Sequence, residues 1–296
     1  MKYIQHLIIC LITLTSLFFQ INAHNGKHII SSEFAAGLFY NFLGVVNNIN
    51  YCKKNNLIPV AYWGQHDLYY QENGWHGKEN VWEYYFEPIS SESFDPKADK
   101  VWSKNESPDG CGLRPITDGH CIEYEKQDMR LTAASIIRDY IKLRPYIQGK
   151  INSFYKRNMA GKKTIGIHIR GTDKKMEVKP MNIDDLFNDA NKLAENYQDC
   201  QFFIATDEER ILKRAKQLLK KKVIYYDAYR SKTGAPIHYN DQSCPSKARL
   251  GEEVVIETFL LAKCDLFLHG FSSVSTAALF INPELEHKTY MAKGGN

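Results

Sequence analysis

Thr164-Ile165-Gly166-Ile167-His168-Ile169, running without a break into Arg170-Gly171-Thr172-Asp173-Lys174, is the stretch that decides how this chain folds. Its first half is a short apolar, β-rich run, and its second half turns abruptly polar, as where a buried strand emerges into solvent. Toward the C-terminus the alternation repeats. The spacing predicts a helix over 183–195, a strand over 201–205, a helix over 208–219 and a strand over 223–226. A long polar loop, a helix over 249–262, a strand over 265–268 and a last helix from about Ser273 complete the series. Repeated β-α order of this kind means a mostly parallel sheet covered on both faces. Ligands of such sheets bind beyond the carboxyl ends of the strands, which is where residues 170–174 fall.

Toward the N-terminus the pattern is less regular. Phe39, Phe42, Leu43, Val46 and Ile49 recur at helical spacing within 36–54, and a strand-like run over 58–63 follows, as at the opening of a second α/β unit. A helix is expected over 131–143, with Arg144-Pro145 as a break leading into the next domain. The predicted organisation is an N-terminal α/β domain over 24–155 and a C-terminal Rossmann-type domain over 156–296. Between residues 62 and 102 lie Trp63, Trp75, Trp82 and Trp102 with Tyr69, Tyr70, Tyr84 and Tyr85, without a clear period. Core packing accounts for most of these rings, and the rest are candidates for a surface on which a sugar or peptide stacks.

Composition excludes several classes. The chain has 296 residues, 44% hydrophobic and 24% charged, which is globular and long enough for two domains. A net charge of +4, with basic residues scattered among acids, argues against a nucleic-acid partner. The short run Lys220-Lys221-Lys222 closes a predicted helix, where cations suit the negative end of the dipole.

Residues 1–23 open with Met1-Lys2-Tyr3, continue with an apolar stretch over 4–19 and end at Ala23, the pattern of a cleaved signal peptide or, alternatively, of an uncleaved signal anchor holding the chain to a membrane. Either implies the secretory pathway. Beyond that segment lie Cys52, Cys111, Cys121, Cys200, Cys244 and Cys264, an even number compatible with disulfides, with Cys111 and Cys121 the nearest local pair. No Cys-x-x-Cys spacing suggests a metal site. Asn105-Glu106-Ser107 is a glycosylation sequon in a polar loop.

Three strand ends in the second half carry chemistry-bearing residues. Arg170 offers a planar, permanently charged fork suited to phosphate oxygens, Gly171 allows close backbone approach, and Thr172, Asp173 and Lys174 add a hydroxyl, a carboxylate and a second cation. The plainer alternative is a solvated turn. Ala205-Thr206-Asp207 ends the next strand, with Thr206 or Asp207 a natural helix N-cap. Gly270-Phe271-Ser272-Ser273-Val274-Ser275-Thr276 joins the last strand to the last helix, and its hydroxyls and amides form a ready anion site. Glu257 sits among apolar residues, which requires a partner for its carboxylate: the N–H groups of a purine base or a structural arginine.

At these residues the sequence resembles the superfamily of α-1,6-fucosyltransferases and protein O-fucosyltransferases, including the bacterial nodulation fucosyltransferases. His168 to Lys174 matches the family's His-x-Arg-x-Thr-Asp-Lys type motif, Ala205 to Asp207 its Ala-Thr-Asp segment, and Phe271 to Ser273 its final Phe-Ser-Ser segment, in the same order. The resemblance implies an α/β fold of the GT-B type, with two Rossmann-type domains facing a cleft. It further implies GDP-fucose as donor, a glycan or glycoprotein acceptor, inversion at the sugar carbon and no required metal or other cofactor. Carried over by position, His168, Arg170, Thr172 and Asp207 lie along the donor. Glu257 takes the place of a guanine-binding aspartate, Ser272 and Ser273 contact the nucleotide, and Gly37 begins a loose match to a Gly-rich loop. Arg170, Lys174 and Glu177 form the expected catalytic set. The family's candidate base is a carboxylate where this chain has Val178, so Glu177, one residue earlier, is assigned that role. Two alternatives stay open: a GDP-sugar-binding homologue without catalysis, and a transferase using another nucleotide sugar.

Overall fold

The computed structural model describes residues 26–99, 101–102, 126–171, 182–235 and 246–290. Residues 1–23, Thr172, Asp173, Lys174, Glu177, Val178, the sequon at Asn105 and Cys111, Cys121 and Cys244 lie outside them. The first half contains β1 (Lys27–Ile30), α1 (Leu38–Asn55), β2 (Ile58–Ala61), α2 (Trp82–Tyr85), β3 (Val101–Trp102), α3 (Gln127–Tyr140) and α4 (Pro145–Asn158). The second contains β4 (Lys163–Ile169), α5 (Ile183–Ala194), β5 (Cys200–Thr206), α6 (Glu209–Leu218), β6 (Lys222–Ile224), α7 (Lys247–Leu261), β7 (Leu266–His269), α8 (Ser273–Ile281) and β8 (Glu286–Thr289).

Two parallel sheets result. One has three strands in the order β2-β1-β3, the other five in the order β6-β5-β4-β7-β8. In the larger sheet the chain starts at the centre with β4, builds outward through β5 and β6, then crosses back to lay β7 on the other side of β4. That reversal makes the gap between the carboxyl ends of β4 and β7 the topological switch point.

Period-2 alternation along β4 explains how both faces are covered. Ile165, Ile167 and Ile169 pack with Phe202, Ile204, Leu266 and Leu268 against Leu186, Phe187, Ile211 and Leu212 of α5 and α6. Gly166 and His168 point to the opposite face, where Phe203, Ala205 and Phe267 meet Val255, Ile256, Leu260, Ala277 and Phe280 of α7 and α8. This second layer does not stop at the domain boundary. It continues through Phe42, Val46, Trp63, Trp82, Tyr85 and Phe86, so one core joins the two halves. Tyr85 Oη donates to Ala248 O (3.0 Å), and Gly251 on α7 is glycine because a Cβ there would collide with the Tyr85 ring.

The structure corrects the expectations at Pro145 and at two of the cysteines. Pro145 does not end structure: it occupies the first turn of α4, where its missing N–H leaves no bond unmade and its fixed φ suits the helix. Trp63, Trp82, Tyr84 and Tyr85 are fully buried, in line with the core packing expected for most of the rings in this stretch. Each such burial contributes about 1.5–3 kcal/mol. Cys200 and Cys264 are buried free thiols, and so take no part in the expected disulfides; burial raises both thiol pKa values. Among the described residues no helix is long and apolar enough to cross a membrane.

Candidate functional site

At the switch point the carboxyl end of β4 meets the start of α8. His168, 7% exposed, turns its Nδ1 toward two hydroxyls, Ser275 Oγ at 3.0 Å and Ser272 Oγ at 3.2 Å. Ser272 is the N-cap of α8 and accepts from the Ser275 N–H (3.0 Å), the bond that starts the helix. Ser275 Oγ donates its proton to Gly270 O (3.0 Å), which leaves it an acceptor toward the imidazole. The hydrogen-bond network therefore calls for a ring proton on Nδ1. Ser273, half-buried, is the first residue of α8, whose N-terminal amides and dipole favour an anion.

Next to His168, the chain leaves β4 through half-buried Arg170 and enters Gly171. The Gly171 N–H donates to Asp207 Oδ1 (2.8 Å), tying the end of β4 to the end of β5. Asp207 is thus a backbone anchor at the base of the motif rather than the helix N-cap that its position suggested. The N-cap of α6 is Glu208, which makes no side-chain capping bond, while Thr206 Oγ1 accepts from the Glu208 N–H (3.3 Å). Glu208 itself, 3% exposed, fills the space beside Gly171: a Cβ on residue 171 would collide with its carboxylate and with Ile211. Its Oε1 accepts from Arg210 Nε (2.9 Å), and Oε2 has no hydrogen-bond partner among the described residues.

Glu257 lies on α7, which packs over β4 and β5 on the His168 face. Its Oε1 accepts from Arg230 Nη2 at 2.8 Å, in a pair whose side chains are 10% and 4% exposed. Burial pushes the Glu257 carboxyl up to about 8, and Arg230 opposes that shift without cancelling it. Arg230 also donates to Ala228 O (2.8 Å) and Tyr226 O (2.9 Å), while the Tyr229 N–H donates to Glu253 Oε2 (2.8 Å). Residues 226–230 are strapped onto α7 by these bonds. Of the two partners the sequence left open for Glu257, the structural arginine is the one present.

The structure thus brings His168, Ser272 and Ser273 together, sets Arg170 and Asp207 beside them, and holds Glu257 in an ion pair under the same end of the sheet. Gly37 is elsewhere, at the N-cap of α1 beyond the carboxyl end of β1, with open space where a Cβ would be. Sequence reasoning missed Ser275, Glu208 and Arg230 as parts of this site. Ser275 was in view within the hydroxyl-rich turn, but nothing in its spacing singled it out. Among the described residues no group of three or more His, Cys, Asp or Glu side chains is arranged to hold a metal ion. A hollow of about 270 Å³ lies at the opposite, amino-terminal end of β4 between Tyr155, Lys162, Lys263 and Asp265. Asp265 there already binds the Thr164 N–H (2.7 Å), and the hollow contains none of the motif residues.

No family model matches the sequence, and no curated protein matches it. Solved structures do. NodZ α-1,6-fucosyltransferase soaked with GDP-fucose superposes with a TM-score of 0.56 at 16% identity, over 87% of this chain and 93% of that one. Fucosyltransferase NodZ from Bradyrhizobium gives 0.52 at 16% identity over 85% and 92% of the two chains. A mutant of Arabidopsis thaliana FUT1 in complex with GDP gives 0.54 at 9% identity over 92% and 71%. The fold is therefore the GT-B-like α/β fold of these fucosyltransferase structures, with two Rossmann-type domains facing a cleft.

Proposed function

We propose that the protein is an inverting glycosyltransferase that moves fucose from GDP-fucose to a glycan or glycoprotein acceptor without a metal ion. The observation that carries this reading is the His168–Ser272–Ser275 cluster, built at the switch point of the second sheet beside Arg170. Support comes from the fold, shared with structures that hold GDP-fucose or GDP. The donor's diphosphate would lie between Arg170 and the N-terminus of α8, where Ser272, Ser273 and the helix amides meet negative charge. His168 would accept a hydroxyl proton of the donor through Nε2. Glu257 would receive the N–H groups of guanine with its remaining acceptor capacity, held in position by Arg230. Thr172 and Lys174 would follow along the phosphates, and Asp207 would act indirectly, by fixing Gly171. Gly37 belongs to the opposite wall.

In the transfer itself a base removes the proton of the acceptor hydroxyl, its oxygen bonds to the anomeric carbon of fucose, and the bond to GDP breaks on the other face. Glu177 is assigned as that base, and Arg170 with Lys174 as the cations that meet the charge developing on GDP. Residues 1–23 would deliver the enzyme to the secretory pathway, cleaved or as an anchor. One observation favours a second reading, a GDP-sugar binder without transfer: Val178 stands where the family's candidate base would be.

GDP release from GDP-fucose, followed with and without a panel of glycan acceptors, separates the two. The transferase reading predicts release that rises with a suitable acceptor and persists in EDTA. Intact donor under all conditions would favour the binder, and activity abolished by EDTA but restored by manganese would contradict metal independence.

A further inference from the structure

We infer that Phe34 is a sugar-binding residue, the platform on which one pyranose ring of the acceptor stacks; this rests on the glycan-transfer reading above. Among the described residues only Phe34, 83% exposed, and Leu131 on α3, 49% exposed, are large apolar side chains left exposed to solvent. Phe34 sits on the turn over residues 31–37 that leaves the carboxyl end of β1, the central strand of the first sheet, and enters α1, the end of a parallel sheet where ligands bind.

The turn that carries it is clamped. The Glu33 N–H donates to Asn41 Oδ1 (2.9 Å), and Asn41 Nδ2 donates to Asp67 Oδ2 (3.4 Å). Asp67 Oδ1 accepts from the Tyr69 N–H (2.9 Å), and His66 Nε2 donates to Ser32 O (2.9 Å). Asn41 and Asp67 are 4% and 3% exposed, so the anchor is buried even though the ring is not. Ala35, the next residue, has a φ of 58°, a left-handed conformation unfavourable for a residue with a Cβ. Buried anchors thus hold the backbone in a costly shape that keeps an aromatic ring in water.

Ring chemistry selects the ligand. One face of a pyranose is a flat patch of C–H bonds rimmed by hydroxyls, and an aromatic face covers that patch while leaving the rim to polar neighbours. A single ring on a rigid turn suits a single sugar; a protein partner would need a contiguous apolar patch, and the other exposed apolar side chain is on a different element. The donor's nucleotide is assigned to the second sheet, which leaves the carboxyl end of the first sheet to the acceptor. A platform already ordered loses little entropy on binding.

Glycan binding, measured directly on an array of free oligosaccharides and of the same glycans on denatured glycoproteins, tests this apart from catalysis. Phe34→Ala should weaken binding to the glycans that the wild type retains by about tenfold. Phe34→Trp should keep that binding, and both variants should melt like the wild type and keep their affinity for GDP. The two arms tell a free oligosaccharide acceptor from a protein-linked one. Unchanged glycan binding by Phe34→Ala, or a wild type that retains no glycan in either arm, would overturn the assignment. Transfer from GDP-fucose, assayed in parallel, judges the transferase reading separately: glycan binding that depends on Phe34 in a protein inactive with GDP-fucose would leave the platform and remove the donor.

Discussion

Replacing Arg170 with alanine is expected to lower transfer from GDP-fucose by on the order of 10²-fold or more while leaving the fold intact. Arg170 follows the last residue of β4 directly, and the Gly171 amide behind it is pinned to Asp207 at 2.8 Å, so the direction of the chain at this point is fixed. As the bond to fucose breaks, negative charge grows on the departing diphosphate. A cation held there gains more in the transition state than in the ground state, so the loss should fall on kcat more than on donor affinity. Arg170→Lys keeps the charge but not the two-pronged geometry and should fail nearly as badly. Arg170 is half-buried beyond the last residue of β4 rather than inside the packed sheet layers, so the melting profile should hold. Initial rates and thermal melts of the purified variants check both halves; a normal rate in Arg170→Ala would show that the diphosphate lies elsewhere.

Arg230→Ala should be the most destabilising single change at the site. It leaves the Glu257 carboxyl buried without its hydrogen-bond partner and cuts the strap over residues 226–230, a loss of about 1–3 kcal/mol for each buried polar group left unpaired. The pH dependence carries the sign. Glu257 is raised from 4.5 to about 8 in the folded state, so folding takes up a proton there. Its contribution is fully present below pH 4.5 and is lost as pH rises through 8. Without Arg230 the folded-state carboxyl shifts further upward, and the decline with pH should extend to higher pH. Urea denaturation of wild type, Glu257→Gln and Arg230→Ala between pH 5 and 9 measures this. Glu257→Gln should lose the wild type's decline over that range; identical slopes in all three would remove the buried pair from the account.

How much of this could be read from the sequence depended on whether the signal was local. β4 announces itself by an apolar run that stops at Arg170, and α8 by a serine placed just before an apolar stretch; both were legible, as was the α/β order between them. β1 and β8 were not, because β1, Lys27–Ile30, has only two apolar residues after Lys27 and His28, and β8, Glu286–Thr289, is a polar edge strand without an apolar run. Pro145 was misread because the same residue that ends a helix also begins one. His168, Arg170 and Ser272 stand out by type and order alone, and the structure sets them at one end of the second sheet. Arg230 was invisible: its partner lies 27 residues away, across a loop with no period, and only the packing of that loop on α7 brings them together. Glu208 was hidden for a related reason, since its role is to fill the space that a side chain at position 171 would need. Burial and long-range pairing are properties of the fold, and a pattern of residue types does not contain them.

A nucleotide panel against the folded protein tests the donor assignment most directly, because a ligand that binds only the folded state raises its melting temperature by mass action. GDP and GDP-fucose should raise the melting temperature, UDP and UDP-sugars should leave it unchanged, and Arg170→Ala should blunt the GDP response. Stabilisation by UDP-sugars in preference to GDP-fucose, or a GDP response that is the same in Arg170→Ala as in the wild type, would contradict the account.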